Sequence, residues 1–170
     1  MEDIAAGVGI GRSALYGMFP SKEALFRALV NALIEEIDPV LPADLGDRPA
    51  PDLMRQVVAA LADRLTRGDV AFLPRLIVGE GAQFPDLVRY YHDHAMARVL
   101  GAVEQVIRHG NARDEFVVPD PALAARSVAG GIVLMVLWRN VFEPAGVPKI
   151  DARAMAAHHA ELVLRGMMAR

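Results

Sequence analysis

The chain has 170 residues, 54% of them hydrophobic, with no cysteine and a formal net charge of −3. That length and apolar content can bury about two thirds of the unfolded surface, enough for one or two compact domains. Absence of cysteine excludes disulfides, thiolate metal sites and a cysteine nucleophile, and is compatible with a reducing cytoplasm; the acidic balance removes any global attraction to phosphate, so a nucleic-acid surface would have to be a local patch.

Residues 1–26 have the layout of a helix-turn-helix. Ile4, Ala5 and Val8 recur at helical spacing, Gly7 and Gly9 permit a left-handed corner, and Ile10 is expected beneath that corner as an apolar plug. A second helix, roughly 11–18, buries Leu15 and turns Arg12, Ser13 and Tyr16 outward, three groups able to hydrogen-bond nucleic acid. Pro20 discourages continuation through Phe19, Ser21 can cap the next helix, Glu23 suits its positive end, and Lys22 is left pointing outward. Arg12, Lys22 and Arg27 form the local basic patch, offset by count by Glu2, Asp3 and Glu23.

The run Ile4-Ala5, Gly9-Ile10, Leu15-Tyr16 and Phe19-Pro20-Ser21-Lys22-Glu23-Ala24-Leu25-Phe26 resembles the signature that ends the DNA-binding head of the TetR/AcrR family of bacterial transcriptional regulators. The likeness covers residues 4–26; farther on, only an all-helical layout agrees. The resemblance implies that Arg12 and Ser13 reach base edges and that Tyr16 and Lys22 hold phosphates. It also implies a homodimer whose recognition helices enter successive major grooves roughly 34–36 Å apart. Family members usually carry another helix before the position of Met1, so the head is expected to be N-terminally incomplete. They also tend to place a Ser or Thr cap where Gly11 stands and a large aromatic or polar residue at Gly17 and Met18.

From Ser21 to about Glu36 a helix carries two apolar stripes, Leu25, Leu29, Leu33 and Ile37 beside Phe26, Val30 and Ile34, as suits a connector touching two partners. Residues 38–52, rich in Pro, Asp and Gly, read as a loop, with Asp52 capping a helix that carries Met54, Val57, Val58, Leu61 and Leu65 and ends at Gly68. Residues 69–83 read as a short or kinked helix, because Pro74, Gly79 and Gly81 each weaken a helix interior. Pro85 opens a long helix to about His109, with Gly110 as its stop and Leu87, Tyr91, Ala95, Val99, Val103 and Ile107 on its inner face. His92 and His94 stand about 200° apart on such a helix and cannot chelate one ion together. Asp120-Pro121 starts a helix to about Phe142 that is apolar on nearly every side around Gly130-Gly131, and Asp151 caps the last helix, where Met155, His159, Leu162 and Gly166 share a face. His158, His159 and Glu161 read as a solvated or interfacial face.

The fold expected is all-α: a partial helix-turn-helix head with its connector over 1–37, then a helical ligand-binding and dimerisation domain over 38–170. No phosphate loop, nucleophile elbow or distinguished carboxylate pair is present, so neither an enzyme nor a cofactor nor a metal is expected. No run reads as a membrane span and no leader opens the chain. As the resemblance implies, the function expected is a ligand-responsive transcriptional regulator, a repressor released from a double-stranded DNA operator by a small hydrophobic or aromatic effector. The alternative is a helical ligand-binding dimer that has lost DNA binding with its first helix. Met54, Val58, Leu61, Tyr91 and His94 are the expected effector contacts, and Gly130, Leu134, Leu137 and Leu162 the expected dimer interface.

Overall fold

The computed structural model describes residues 9–37, 44–67, 73–82 and 84–168. Its helices are α1 (Arg12–Met18), α2 (Lys22–Ile37), α3 (Ala50–Arg67), α4 (Leu73–Glu80), α5 (Pro85–Tyr91), α6 (Ala97–Ala112), α7 (Pro121–Leu137) and α8 (Ala152–Met167). A wide π turn, His92–Met96, joins α5 to α6 without a break, and a second, Trp138–Phe142, extends α7 into a short 3-10 turn, Glu143–Ala145. Among the described residues the one β feature is an isolated bridge between Phe116 and Met168.

Helix α3 is the axis of the body. Its Leu53, Met54, Val57, Val58 and Leu61 are buried against Val99, Val103, Val106 and Ile107 of α6, Val128, Ile132 and Met135 of α7, and Leu164 of α8. Alanines at 156 and 160, both buried, give α8 the smooth face that lets it lie close along α3. Phe26 and Val30 of α2 enter the same core, so one stripe of the expected connector is buried there. Side chains of Leu33 and Ile37, from the other stripe, lie outside the described residues, as do Ile4, Ala5, Gly7 and Val8. Removing a fully buried side chain such as Leu61 costs about 2–5 kcal/mol in cores of this kind.

The inner face of α5 and α6 follows the expected residues, since Leu87, Tyr91, Ala95, Val99, Val103 and Ile107 are all buried. A stripe repeating every four residues drifts by roughly 40° per step on a 3.6-residue helix, about 200° over these five steps. The π turn at 92–96 adds a residue to one turn and recovers about 100° of that drift, so the face stays buried along its length, against α2 at α5 and the π turn and against α3 at α6.

Several local expectations need correction. Ile10 is 38% exposed, not a plug; Gly9 takes φ +70° and turns the chain so that Leu15 alone of α1 is buried. Asp52 is not the cap of α3, which starts at Ala50; Asp52 pairs instead with Arg55 at 3.0 Å. The Ala50 N–H is satisfied from across the chain by Glu115 Oε2 at 2.5 Å, so the helix needs no local cap there. Hydrogen bonds from Arg113 and then from the Ala50 N–H hold the Glu115 carboxyl below its usual range. Its contribution to stability is therefore complete above the ordinary carboxylate pKa and disappears as pH falls through the lowered one. Against the expectation that no run suffices for a membrane span, Pro121–Ala145 is long and apolar enough by length and composition, because the turns after Leu137 prolong it and Arg126 and Arg139 are its only basic residues.

Gly110 does not stop its helix, which continues to Ala112. Its role is clearance: a Cβ there would collide with Cδ2 of the buried Phe116 ring. Gly110→Ala is expected to destabilise by about 1–3 kcal/mol through overpacking, and a second change, Phe116→Leu, should recover part of that loss in urea unfolding.

Candidate nucleic-acid interface and effector body

The surface expected to read DNA is carried by a short helix with one anchor. Leu15 holds α1 to the protein while Arg12, Ser13 and Tyr16 stand exposed, and the Arg12 guanidinium lies 5.5 Å from the centre of the Tyr16 ring one turn on. Gly11 precedes α1 and supplies no side-chain cap. At the start of α2 the expected cap is present, with the Ala24 N–H donating to Ser21 Oγ at 3.0 Å. Glu23 accepts from Arg27 Nη2 at 2.8 Å, which restrains two of the charges counted in the basic patch.

Lys22 is exposed as expected, but its ammonium rests 4.7 Å from the centre of the Phe84 ring, at the entrance to α5. One turn along α2, the Arg27 guanidinium lies 4.3 Å over Tyr90, whose hydroxyl donates to Asn31 Oδ1 at 3.0 Å. Tyr90 in turn stacks on His94, centroids 4.0 Å apart. A ladder of cation and ring contacts thus ties the connector to α5 and its π turn. Periodicity gives no sign of it, because all its members sit on polar or mixed faces.

The five expected effector contacts divide into two groups. Met54, Val58 and Leu61 are fully buried, and Tyr91 is 8% exposed. Burial pushes the Tyr91 phenol up to about 12, so it is a neutral donor at physiological pH, and it has no hydrogen-bond partner among the described residues. His94 lies outside this group: it is exposed, with Nδ1 3.0 Å from the Tyr90 carbonyl oxygen, because the stack on Tyr90 holds its ring on the outer side. A separate groove of about 840 Å³ runs between α3 and the beginning of α8, and none of the five residues lines it.

On α7 the two central glycines have different roles. Gly131 carries the His159 ring, which an added Cβ would overlap, and His159 Nε2 donates to the Val128 carbonyl oxygen at 2.9 Å. His159 is therefore drawn into the α7 and α8 contact, away from Glu161, which binds Arg55 at 2.7 Å. Gly130 faces open space, Leu134 is 46% exposed, Leu162 is 54% exposed, and Leu137 is half-buried. Leu123, Gly130, Leu134 and Leu137 fall within roughly 60° of one another around α7, an uncovered apolar stripe.

Residues 1–29 match the family model described as bacterial regulatory proteins, tetR family, and residues 52–168 match that of the AefR-like transcriptional repressor, C-terminal domain. Among solved structures, the chain is similar to the TetR family transcriptional regulator PfmR from Thermus thermophilus, at 22% identity and a TM-score of 0.78, over 96% of this chain and 86% of that one. It is similar to the flavonoid-responsive regulator FrrA at 25% identity and a TM-score of 0.64, over 100% and 87% of the two chains. It also resembles AibR, solved in complex with isovaleryl coenzyme A and operator DNA, at 20% identity and a TM-score of 0.70, over 94% and 84%. No curated protein sequence matches the chain. The second of the two family models spans more than half of the residues, and the chain belongs to the TetR family of bacterial regulatory proteins.

Proposed function

We propose that the protein is a homodimeric, cytoplasmic, non-enzymatic repressor that leaves its operator when a small hydrophobic or aromatic effector enters the body. In this reading residues 1–37 form the head and connector, and residues 38–170 form the effector-binding and dimerisation domain. Arg12 and Ser13 read base edges, and Tyr16 and Lys22 hold phosphates.

The observation that carries the reading is the ladder from Lys22 and Arg27 to Phe84, Tyr90 and His94. The next residue, Tyr91, is buried and belongs to the apolar cluster that includes Met54, Val58 and Leu61. An effector that bonds the Tyr91 hydroxyl and packs on those side chains displaces α5, and α5 carries the rings on which the connector's cations rest. A coupling of about 1–3 kcal/mol changes DNA affinity severalfold to over a hundredfold. The neighbours described as flavonoid-responsive and as holding isovaleryl coenzyme A are consistent with effectors that carry an aromatic or apolar body.

A library of neutral apolar and aromatic compounds, added to the complex of the natural gene product with its upstream DNA, tests this. At least one compound should lower the anisotropy of labelled DNA, raise the Tm of the free protein and move the Met54 methyl and Tyr91 ring resonances. Active compounds that are all metals or nucleotides would contradict it. Within the same assay, Lys22→Ala should weaken every DNA sequence alike and lower the salt slope by about one, measured at two or more salt concentrations.

A further inference from the structure

The groove between α3 and α8 has no part in the function above, and its lining has a definite chemistry. Ala59 and Ala60 of α3 face Ala156 and Ala157 of α8 across it, and Ile150 adds an apolar surface. Arg139 and Lys149 border the same space, and their charged ends make no hydrogen bond or ion pair among the described residues. Two of the three carboxylates nearby are already engaged by backbone: Glu143 Oε1 accepts from the Ile150 N–H at 3.1 Å, and Asp151 Oδ1 from the Arg153 and Ala154 N–H groups at 2.9 and 3.1 Å. Asp63 is the third, and Arg153 the third cation. Its volume of about 840 Å³ lies within the usual range of small-molecule sites.

We propose that this groove binds an amphipathic organic monoanion, a carboxylic acid whose apolar body lies against the alanines and whose carboxylate is neutralised by Arg139 and Lys149. Three cations against three carboxylates leave little net positive field for a multiply charged phosphate group, whereas one carboxylate needs only the local charges of Arg139 and Lys149. Alanines on both walls hold the helices' side chains short, so an alkyl or ring system can lie flat between them and exclude water from the ion pair. On α8, Leu162 stands roughly 120–140° around the helix from Ala156 and Ala157, so a partner covering Leu162 leaves the groove reachable.

Isothermal titration of the full chain with decanoate, decylammonium and 1-decanol, alongside alanine-methyl spectra, tests the assignment. Decanoate should bind at least tenfold more tightly than the other two and move the Ala59, Ala60 and Ala157 methyls, with Met54 and Tyr91 unmoved. Arg139→Gln combined with Lys149→Gln should weaken decanoate at least tenfold while the Tm stays at the wild-type value, and Ala59→Trp should block the groove from an exposed position. Equal affinity for decylammonium, binding undiminished in the double variant, shifts confined to Met54 and Tyr91, or no binding at millimolar concentration would each overturn it. None of these readouts uses DNA, so the result stands apart from that of the repressor reading.

Discussion

Replacing Leu134 by Arg should convert a dimer into a folded monomer at micromolar concentration. Leu134 is 46% exposed on the uncovered stripe of α7, in line with Leu123, Gly130 and Leu137, and Leu162 on α8 is likewise exposed. A two-fold contact brings each such residue against its own copy's surface, so a single substitution acts twice. It places a cation with no counter-charge into each half of an apolar contact, and breaking a desolvated arrangement in this way costs about 3–5 kcal/mol. The expected result is at least a hundredfold weaker association by light scattering or sedimentation. Because Leu134 points away from the core formed by Val128, Ile132 and Met135, helical content and Tm of the monomer should change little beyond what dimer linkage supplies. Leu162→Arg should act in the same direction. A wild-type chain that is already monomeric at micromolar concentration would remove this stripe as the interface.

Arg12→Ala should lower affinity for the operator by about 1–3 kcal/mol and relax specificity at one base position in each half-site. Arg12 is exposed at the first turn of α1, and its guanidinium lies near the Tyr16 ring, which restricts the rotamers available to it before DNA arrives. That restriction makes Tyr16→Phe informative: the ring persists and the hydroxyl proposed to hold a phosphate is lost, so affinity should fall without a change in base preference. Competition titrations with single-base operator variants distinguish the two outcomes. If Arg12→Ala weakens every duplex equally, Arg12 is a phosphate contact and base reading falls to another residue.

Much of this architecture was readable from side-chain periodicity and capping. Leu87 to Ile107 pointed to one buried face, Asp120 and Asp151 cap where Asp- and Pro-type signals place helix starts, and Phe26 with Val30 marked a buried stripe of α2. Those signals are local, so a single segment contains all that is needed to see them. The expectations that needed correction depend on distant partners. Whether Gly110 ends a helix or clears space is decided by Phe116, and the start of α3 by Glu115, 65 residues away from Ala50. His159 looked like part of a surface cluster because its position beside His158 and Glu161 is visible and its seat on Gly131 is not. The ladder of Lys22, Arg27, Phe84, Tyr90 and His94 joins two segments across the fold, and neither of them alone has an unusual composition. The groove lined by alanines escaped notice for the opposite reason: alanine is the commonest filler of a helix, and its meaning appears only when two such faces meet.

Fluorescence anisotropy of the natural gene product on a labelled duplex from its own upstream region, against a random duplex of equal length and at two salt concentrations, is the direct test of operator recognition. Specific binding tighter than random by about 10³-fold or more, with a two-fold symmetric site and half-sites one helical turn apart, is the predicted result. Equal affinity for both duplexes, falling together as salt rises, would contradict it.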